Sequence, residues 1–250
     1  MRNSNLKIVE KNQTNFFTAA KVCLIILLSH SFCTLHAQQQ KKIKFEGRCG
    51  YFYQSLEHIH KVIGRELDFY GFKRGEVVAS IGAQCCNWES AFAAVTDSVL
   101  FYLEDIDSTK FTKEQTAFAW NYYASIRGKP MTSNYKMILG DENSTSLPEN
   151  VFDKILIINS FHEFTFATEM LADIKKKLKP GGILYIDEAL PKRQGQLHAI
   201  CNLPMLTSDE MIELFSKNGL EYINGIDFNY RQKNPVRKIF AFRIKSSMQP

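Results

Sequence analysis

The run Lys154 to Asn159, Lys-Ile-Leu-Ile-Ile-Asn, is the most apolar strand-like stretch in the chain, and it limits the fold more than any other feature. A strand with one face in water alternates apolar and polar residues; a strand covered on both faces reads as an unbroken hydrophobic run and belongs in the centre of a parallel sheet. Parallel strands need crossover connections, usually helices, so α/β architecture follows. At 250 residues and 45% hydrophobic content, the chain supports one sizeable core and is short for two.

The same signal recurs upstream. Val77 to Ala94 reads as a β-rich run that ends at Gly82 and passes directly into a helical pattern, the way a nucleotide-binding αβ unit begins. An ordinary buried strand-to-helix turn has the same appearance, and only Gly82 of the usual three glycines is present: Gln84 and Cys86 stand where the others would fall. Ser98 to Leu103 makes a second strand, closed by Glu104, Asp105 and Asp107. A carboxylate about 20 residues past the glycine turn is placed to hold a ribose hydroxyl pair. Tyr135 to Leu139 gives a third strand, followed by Gly140 and Asp141, and Ile183 to Ile186 a fifth.

Apolar periodicity places helices over Tyr51–Tyr70, Phe111–Ile126 and Glu169–Leu178, the last stopped by Lys179-Pro180-Gly181-Gly182. Thr207 with Glu210 three residues on predicts a capping box and a helix through Phe215. Glu221–Asp227 and Lys238–Ile244 read as two closing strands, antiparallel across the Asn229–Val236 loop. Residues 188 to 205 read as irregular.

Taken together these pieces resemble class I S-adenosylmethionine-dependent methyltransferases, over about residues 50 to 245. The resemblance rests most on Phe152-Asp153, the strand Ile155 to Ile158, His162, and the Leu178-Lys-Pro-Gly-Gly182 turn ahead of the fifth strand. It implies a Rossmann-like, mostly parallel sheet of seven strands with helices on both faces and the last strand antiparallel. It also implies S-adenosylmethionine as cofactor: Gly82, Ala83 and Gln84 beneath its methionine part, Asp105 on the ribose hydroxyls, Asp141 on the adenine amine, and Asn159 at the end of the fourth strand. His162 and Glu163 are then the side chains placed to take a proton from a small-molecule acceptor. The family usually carries an acidic residue two positions before its first glycine, where this chain has Ser80. An exported, non-catalytic binding protein on the same fold is the competing expectation.

The N-terminus has the order of an export signal: Arg2, Lys7, Lys11 and Lys21, then the apolar run Val22 to Leu28, then Ala37 before Gln38. Domain organisation is therefore read as a signal segment over 1–37, a linker over 38–49 and a methyltransferase-like domain over 50–250. A buried helix, a membrane anchor or a misplaced start are the other readings of that segment; the run is short of the roughly 18 to 20 residues a bilayer span requires. Four of the 31 basic residues and one of the 26 acidic ones lie in residues 1 to 37. The remainder is close to neutral and gives no case for a nucleic-acid surface. Cys49, Cys85, Cys86 and Cys201 would remain after cleavage, and a Cys49 link to Cys85 or Cys86 is the expected bridge. No C-x-x-C or H-x-x-x-H spacing supports a metal built on Cys85 and Cys86, so no metal ligands are assigned.

Overall fold

The computed structural model describes residues 47–228 and 236–246. The chain divides into two units, Met1–Gly50 and Tyr51–Pro250. Of the first, only the 3-10 turn Gly47–Gly50 is described. The expected signal segment 1–37, the linker up to residue 46 and most of the 229–236 loop lie outside the described residues.

In the second unit, seven strands form one sheet: Val77–Ile81 (β1), Leu100–Asp105 (β2), Asn134–Leu139 (β3), Phe152–Ile158 (β4), Leu178–Leu190 (β5), Leu220–Phe228 (β6) and Val236–Ile244 (β7). Their order is β3-β2-β1-β4-β5-β7-β6. The first five are parallel in register, and β7 runs antiparallel to both its neighbours. Among the described residues five α-helices accompany them: Leu56–Tyr70 (α1), Asn87–Val95 (α2), Lys113–Arg127 (α3), Ala167–Lys177 (α4) and Ser208–Lys217 (α5). The expected Rossmann-like architecture, with its antiparallel last strand, is the one observed.

The pleat of the central strands sorts their side chains into two cores. Val78, Phe101, Leu103 and Leu156 pack with α1, α2 and α3; Ala79, Ile81, Tyr102, Ile155 and Ile157 pack with α4 and α5. Adjacent residues of one strand point to opposite faces, so α1–α3 cover one side and α4–α5 the other. This two-sided cover is why Ile155 to Ile158 could be uniformly apolar.

Element ends follow local chemistry. The Ser55 side chain accepts from His58 N–H at the start of α1, and Gly71 closes it in the left-handed region. This cap starts α1 at Leu56, later than the expected Tyr51. The Thr207–Glu210 capping box is present as expected. The Leu178–Gly182 turn, in contrast, is not a plain stop. β5 already pairs at Leu178 with Phe152, and the register then jumps to Lys154 with Ile183, so Lys179 to Gly182 form an excursion within the strand. A Cβ at Gly182 would come within 2.8 Å of the Phe152 carbonyl oxygen, which keeps that position glycine. The strand also runs on to Leu190, so residues 188 to 190, expected to be irregular, are paired with β7.

One buried polar group joins distant parts of the unit. Arg237 at the start of β7 donates through Nη1 to Glu66 of α1 at 2.9 Å and pairs with Asp187 of β5, which also accepts from Tyr70 Oη at 3.1 Å. Glu66 and Asp187 are fully buried. The guanidinium lies 5.2 Å from the ring centres of both Trp88 and Phe228.

Candidate functional site

The chain leaves β1 toward β2 on one side and reaches β4 on the other, so the sheet order reverses between β1 and β4, and the carboxyl ends of these strands are where open α/β sheets bind ligands. The cofactor-site residues expected from sequence lie at the carboxyl end of a strand or in the loop that follows it.

Gly82 follows β1 with φ +73°. A Cβ there would lie 2.5 Å from Ser160 Oγ, which itself donates to the Gly82 carbonyl at 3.3 Å. Glycine is thus required twice, for the backbone conformation and for the approach of the β4 loop. Gln84 and Cys86 are also in the left-handed region, at φ +47° and +57°. The loop therefore keeps backbone torsions that glycines would adopt while carrying side chains.

That loop is tied to the end of β2. Ala83 N–H donates to the Glu104 carbonyl at 2.9 Å, and Gln84 N–H to Asp105 Oδ2 at 2.8 Å. The other carboxylate oxygen, Asp105 Oδ1, accepts from Asp107 N–H at 2.8 Å. Gly140 N–H donates to the Asp105 carbonyl at 3.2 Å, bringing the β3 loop to the same place. There Asp141 Oδ1 accepts from the backbone N–H groups of Asn143 and Ser144 at 3.0 and 2.8 Å. Asn159, at φ +53°, donates its N–H to the Asp187 carbonyl at 2.6 Å and so fixes the β4 loop to β5. Gly82, Ala83, Gln84, Asp105, Asp141 and Asn159 are therefore parts of one edge.

Two acids to which the sequence reading gave no role belong here as well. Glu104 is 1% exposed and its Oε1 has no hydrogen-bond partner. Burial first, and the charge of Asp105 second, push its carboxyl up to about 8. Any side chain at Gly140 would run into this carboxyl group. Glu89 of α2 is equally buried and accepts from Ser80 Oγ at 2.5 Å; burial raises its pKa to about 7. An acid thus reaches the Ser80 position from the helix. The sequence signal was, for Glu104, a carboxylate directly after an apolar strand and, for Glu89, one beside the apolar face of a helix, where a buried charge needs a reason to be.

Further along the edge, the 3-10 turn Phe161–Glu163 places His162. Glu188 near the end of β5 organises it: Oε1 accepts from Phe161 N–H at 2.7 Å, and Oε2 lies 2.9 Å from His162 Nδ1. The side chains of His162 and Glu188 are 6% and 4% exposed. Burial disfavours the imidazolium, but the hydrogen bond and charge of Glu188 outweigh it and hold the His162 pKa above the ordinary histidine value. His162 Nε2 is buried and has no hydrogen-bond partner. Its nearest acid is Glu163, at 3.8 Å and largely in water. A cavity of about 280 Å³ adjoins the histidine, lined among others by Phe161, Phe164, Glu188, Met205 and Met211. Glu188 was missed because its segment carries no periodicity; the signal available was two consecutive acids, Asp187 and Glu188, directly after an apolar strand.

The described cysteines separate into two kinds. Cys49 and Cys85 are each in disulfide form, while Cys86 and Cys201 are free thiols. Cys86 is thereby removed from the expected bridge; its Sγ lies 3.4 Å from Thr116 Oγ1 inside the core.

Comparison with known proteins agrees with the fold. The family described as "Methyltransferase domain" matches residues 93–186, from within α2 to β5, and so begins just past the Gly82–Cys86 loop. Among solved structures, the chain is similar to a SAM-dependent methyltransferase from Aquifex aeolicus, with a TM-score of 0.56 and 18% identity over 75% of this chain and 98% of that one. It is similar to a SAM-dependent methyltransferase of Leishmania major, with a TM-score of 0.58 and 16% identity over 75% and 74%. The [4+2]-cyclase SpnF is similar too, with a TM-score of 0.57 and 15% identity over 80% and 86%. No curated protein matches the sequence.

Proposed function

We propose that the chain is a class I S-adenosylmethionine-dependent methyltransferase, a reading supported by the methyltransferase-domain match and by the fold, and that it transfers a methyl group from S-adenosylmethionine to a small-molecule acceptor held beside His162. The observation that carries this reading is the convergence of the β1, β2, β3 and β4 loops on one edge, linked by the hydrogen bonds from Ala83, Gln84 and Gly140 to the end of β2. An aldose-like ring with two hydroxyls needs a carboxylate near a closely approaching backbone, and Asp105 and Gly82 are so disposed.

One feature supports the fit of the cofactor. The buried, unpartnered Glu104 Oε1 leaves polar capacity at the end of β2 that a ligand's hydroxyl or amine can meet. Asp105 is assigned to the ribose, Asp141 to the adenine amine, and Gly82, Ala83, Gln84 and Asn159 to the cofactor's remaining length. When bound, the sulfonium supplies an electrophilic methyl group. The protein's own task is to hold an acceptor in line with it and exclude water. His162 is assigned to the acceptor side through Nε2, oriented by Glu188, with Glu163 at the rim; the apolar cavity wall of Phe161, Phe164, Met205 and Met211 suits a partly apolar acceptor.

Calorimetric titration of the protein with S-adenosylmethionine and with its demethylated product tests the reading. Binding of either is expected in the micromolar range, and no heat at millimolar ligand would overturn it.

A further inference from the structure

We propose that His162, His198 and Cys201 form a binding site for one borderline-soft divalent metal ion, of which zinc is the working probe. One potential ligand atom from each of the three residues lies within 4.8 Å of the other two. His198 Nδ1 is 3.1 Å from Cys201 Sγ, and the two imidazole ring centres are 4.6 Å apart at 46°. Ligands on a tetrahedral zinc stand about 3.3 to 3.6 Å apart, given metal–nitrogen and metal–sulfur bonds of about 2.0 and 2.3 Å. The cluster therefore needs a closure of no more than about 1.5 Å to receive an ion.

A second observation, independent of the cluster, points the same way. His162 Nε2 is a buried nitrogen without a hydrogen-bond partner, although its ring is fixed from the far side by Glu188 at 2.9 Å. A carboxylate on one imidazole nitrogen that leaves the other bare is the arrangement that orients a metal-ligating histidine and raises its basicity. Glu188 is in turn fixed by the Phe161 N–H, so the ring has little freedom. His198 and Cys201 come from a short turn in which Asn202 N–H donates to the His198 carbonyl at 2.9 Å and His198 N–H to the Leu203 carbonyl at 2.8 Å. The turn brings the His-x-x-Cys pair to one side. Two imidazoles and a thiolate suit zinc and its neighbours rather than magnesium or calcium, which take oxygen ligands.

Three protein ligands leave the fourth coordination position open, and His162 belongs both to this cluster and to the wall of the 280 Å³ cavity. The site goes beyond methyl transfer and stands without it. Should both hold, the ion occupies the Nε2 lone pair that would otherwise face the acceptor, and acceptor binding becomes metal-dependent.

The test uses the full chain, reduced, freed of metal with a chelator, and never exposed to cofactor. Titration with Co(II) is expected to give one ion per chain with a thiolate-to-cobalt charge-transfer absorption, and zinc is expected to displace it. Cys201→Ser should remove that absorption, whereas Cys86→Ser, which alters a thiol buried in the core, should leave it. Glu188→Gln should weaken zinc about 10- to 100-fold, the range for loss of an outer partner. In the unaltered protein, zinc should protect Cys201 from alkylation, read by mass spectrometry of its peptide, so the idea survives a variant that fails to fold. A Co(II) spectrum indifferent to Cys201→Ser, or equal alkylation of Cys201 with and without zinc, would overturn the site. Neither result bears on S-adenosylmethionine binding, which is measured separately.

Discussion

Asp105 is placed to serve the loop and the ligand at once, and replacing it separates the two. Its carboxylate accepts the Gln84 and Asp107 N–H groups, both at 2.8 Å, and the residue is 8% exposed. A hydrogen bond to a charged acceptor contributes about 1.5 to 3 kcal/mol. Because both donors sit in half-buried loop residues that water can reach in part, the lower figure applies, and Asp105→Ala should cost about 3 kcal/mol of stability without ligand. For a unit of some 200 residues this lowers Tm by about 6 to 12 °C. Asp105→Asn should lose about half as much, since whichever way the amide is turned its NH₂ confronts one of the two donors. The ligand adds a further loss: a carboxylate that holds two ribose hydroxyls supplies about 1.5 to 3 kcal/mol, so Kd should rise roughly 10- to 150-fold in Asp105→Ala. Chemical denaturation and calorimetry on the same preparations read the two effects. Lowered stability with unchanged affinity would refute the ribose assignment and leave Asp105 as a loop anchor; unchanged stability would refute the loop argument itself.

Gln84→Gly should bind S-adenosylmethionine more tightly, because removing the Cβ widens the approach of a loop already in a glycine-like conformation; weaker binding would make Gln84 a ligand contact of its own. If the disulfide at Cys85 fixes the shape of this loop, affinity should also change on reduction in the same titration. Glu104, faced by Asp105, Asp141 and Asp173, is held protonated by burial up to about pH 8 in the folded state against an ordinary value of 4.5. The folded form thus binds the proton more tightly, and stability present at acid pH should fall as pH rises toward 8, by up to about 5 kcal/mol, with the slope flattened in Glu104→Gln. Denaturation curves across that window check the sign; an identical slope in the variant sinks the assignment. The order of residues 1–37 leads us to propose export, so protein from its native host should begin near Gln38 by intact-mass measurement, and a full-length chain would count against it.

What was legible in the sequence was whatever a parallel sheet imposes on a linear pattern. Ile155 to Ile158 had to be apolar throughout because helices cover both faces, and the residues just after each strand had to be the ligand edge. Gly82, Asp105 and Asp141 could be placed at that edge by position, while the roles expected of Gly82 and Asp141 came from the family resemblance. His162 could be named, but not its partners: Glu188 is 26 residues away, and His198 and Cys201 lie in a segment whose order comes from turns and tertiary contacts that leave no period. The excursion at Lys179 to Gly182 was read as a stop because Pro-Gly-Gly breaks a helix equally well whether or not pairing has already begun at Leu178. The burial of the Glu104 and Glu89 carboxyls was illegible for a related reason. Burial of an acid is decided by what packs above it.

The seating of β7 between β5 and β6, with Arg237 joined to Asp187 and Glu66, has a consequence for the order in which the molecule can be made. Glu66 is synthesised 171 residues before the cation that pairs with it. Until β7 emerges, β6 has no neighbour to dock on, β5 presents an open edge, and two acids meant for the interior have no counter-charge. A nascent chain can assemble β1 to β5 and their helices, but the sheet cannot close before its last strand is in hand. Long-range pairings of this kind slow folding, and they expose a strand edge while they are awaited. Completion of the polypeptide and completion of the fold are thereby coupled through a single arginine.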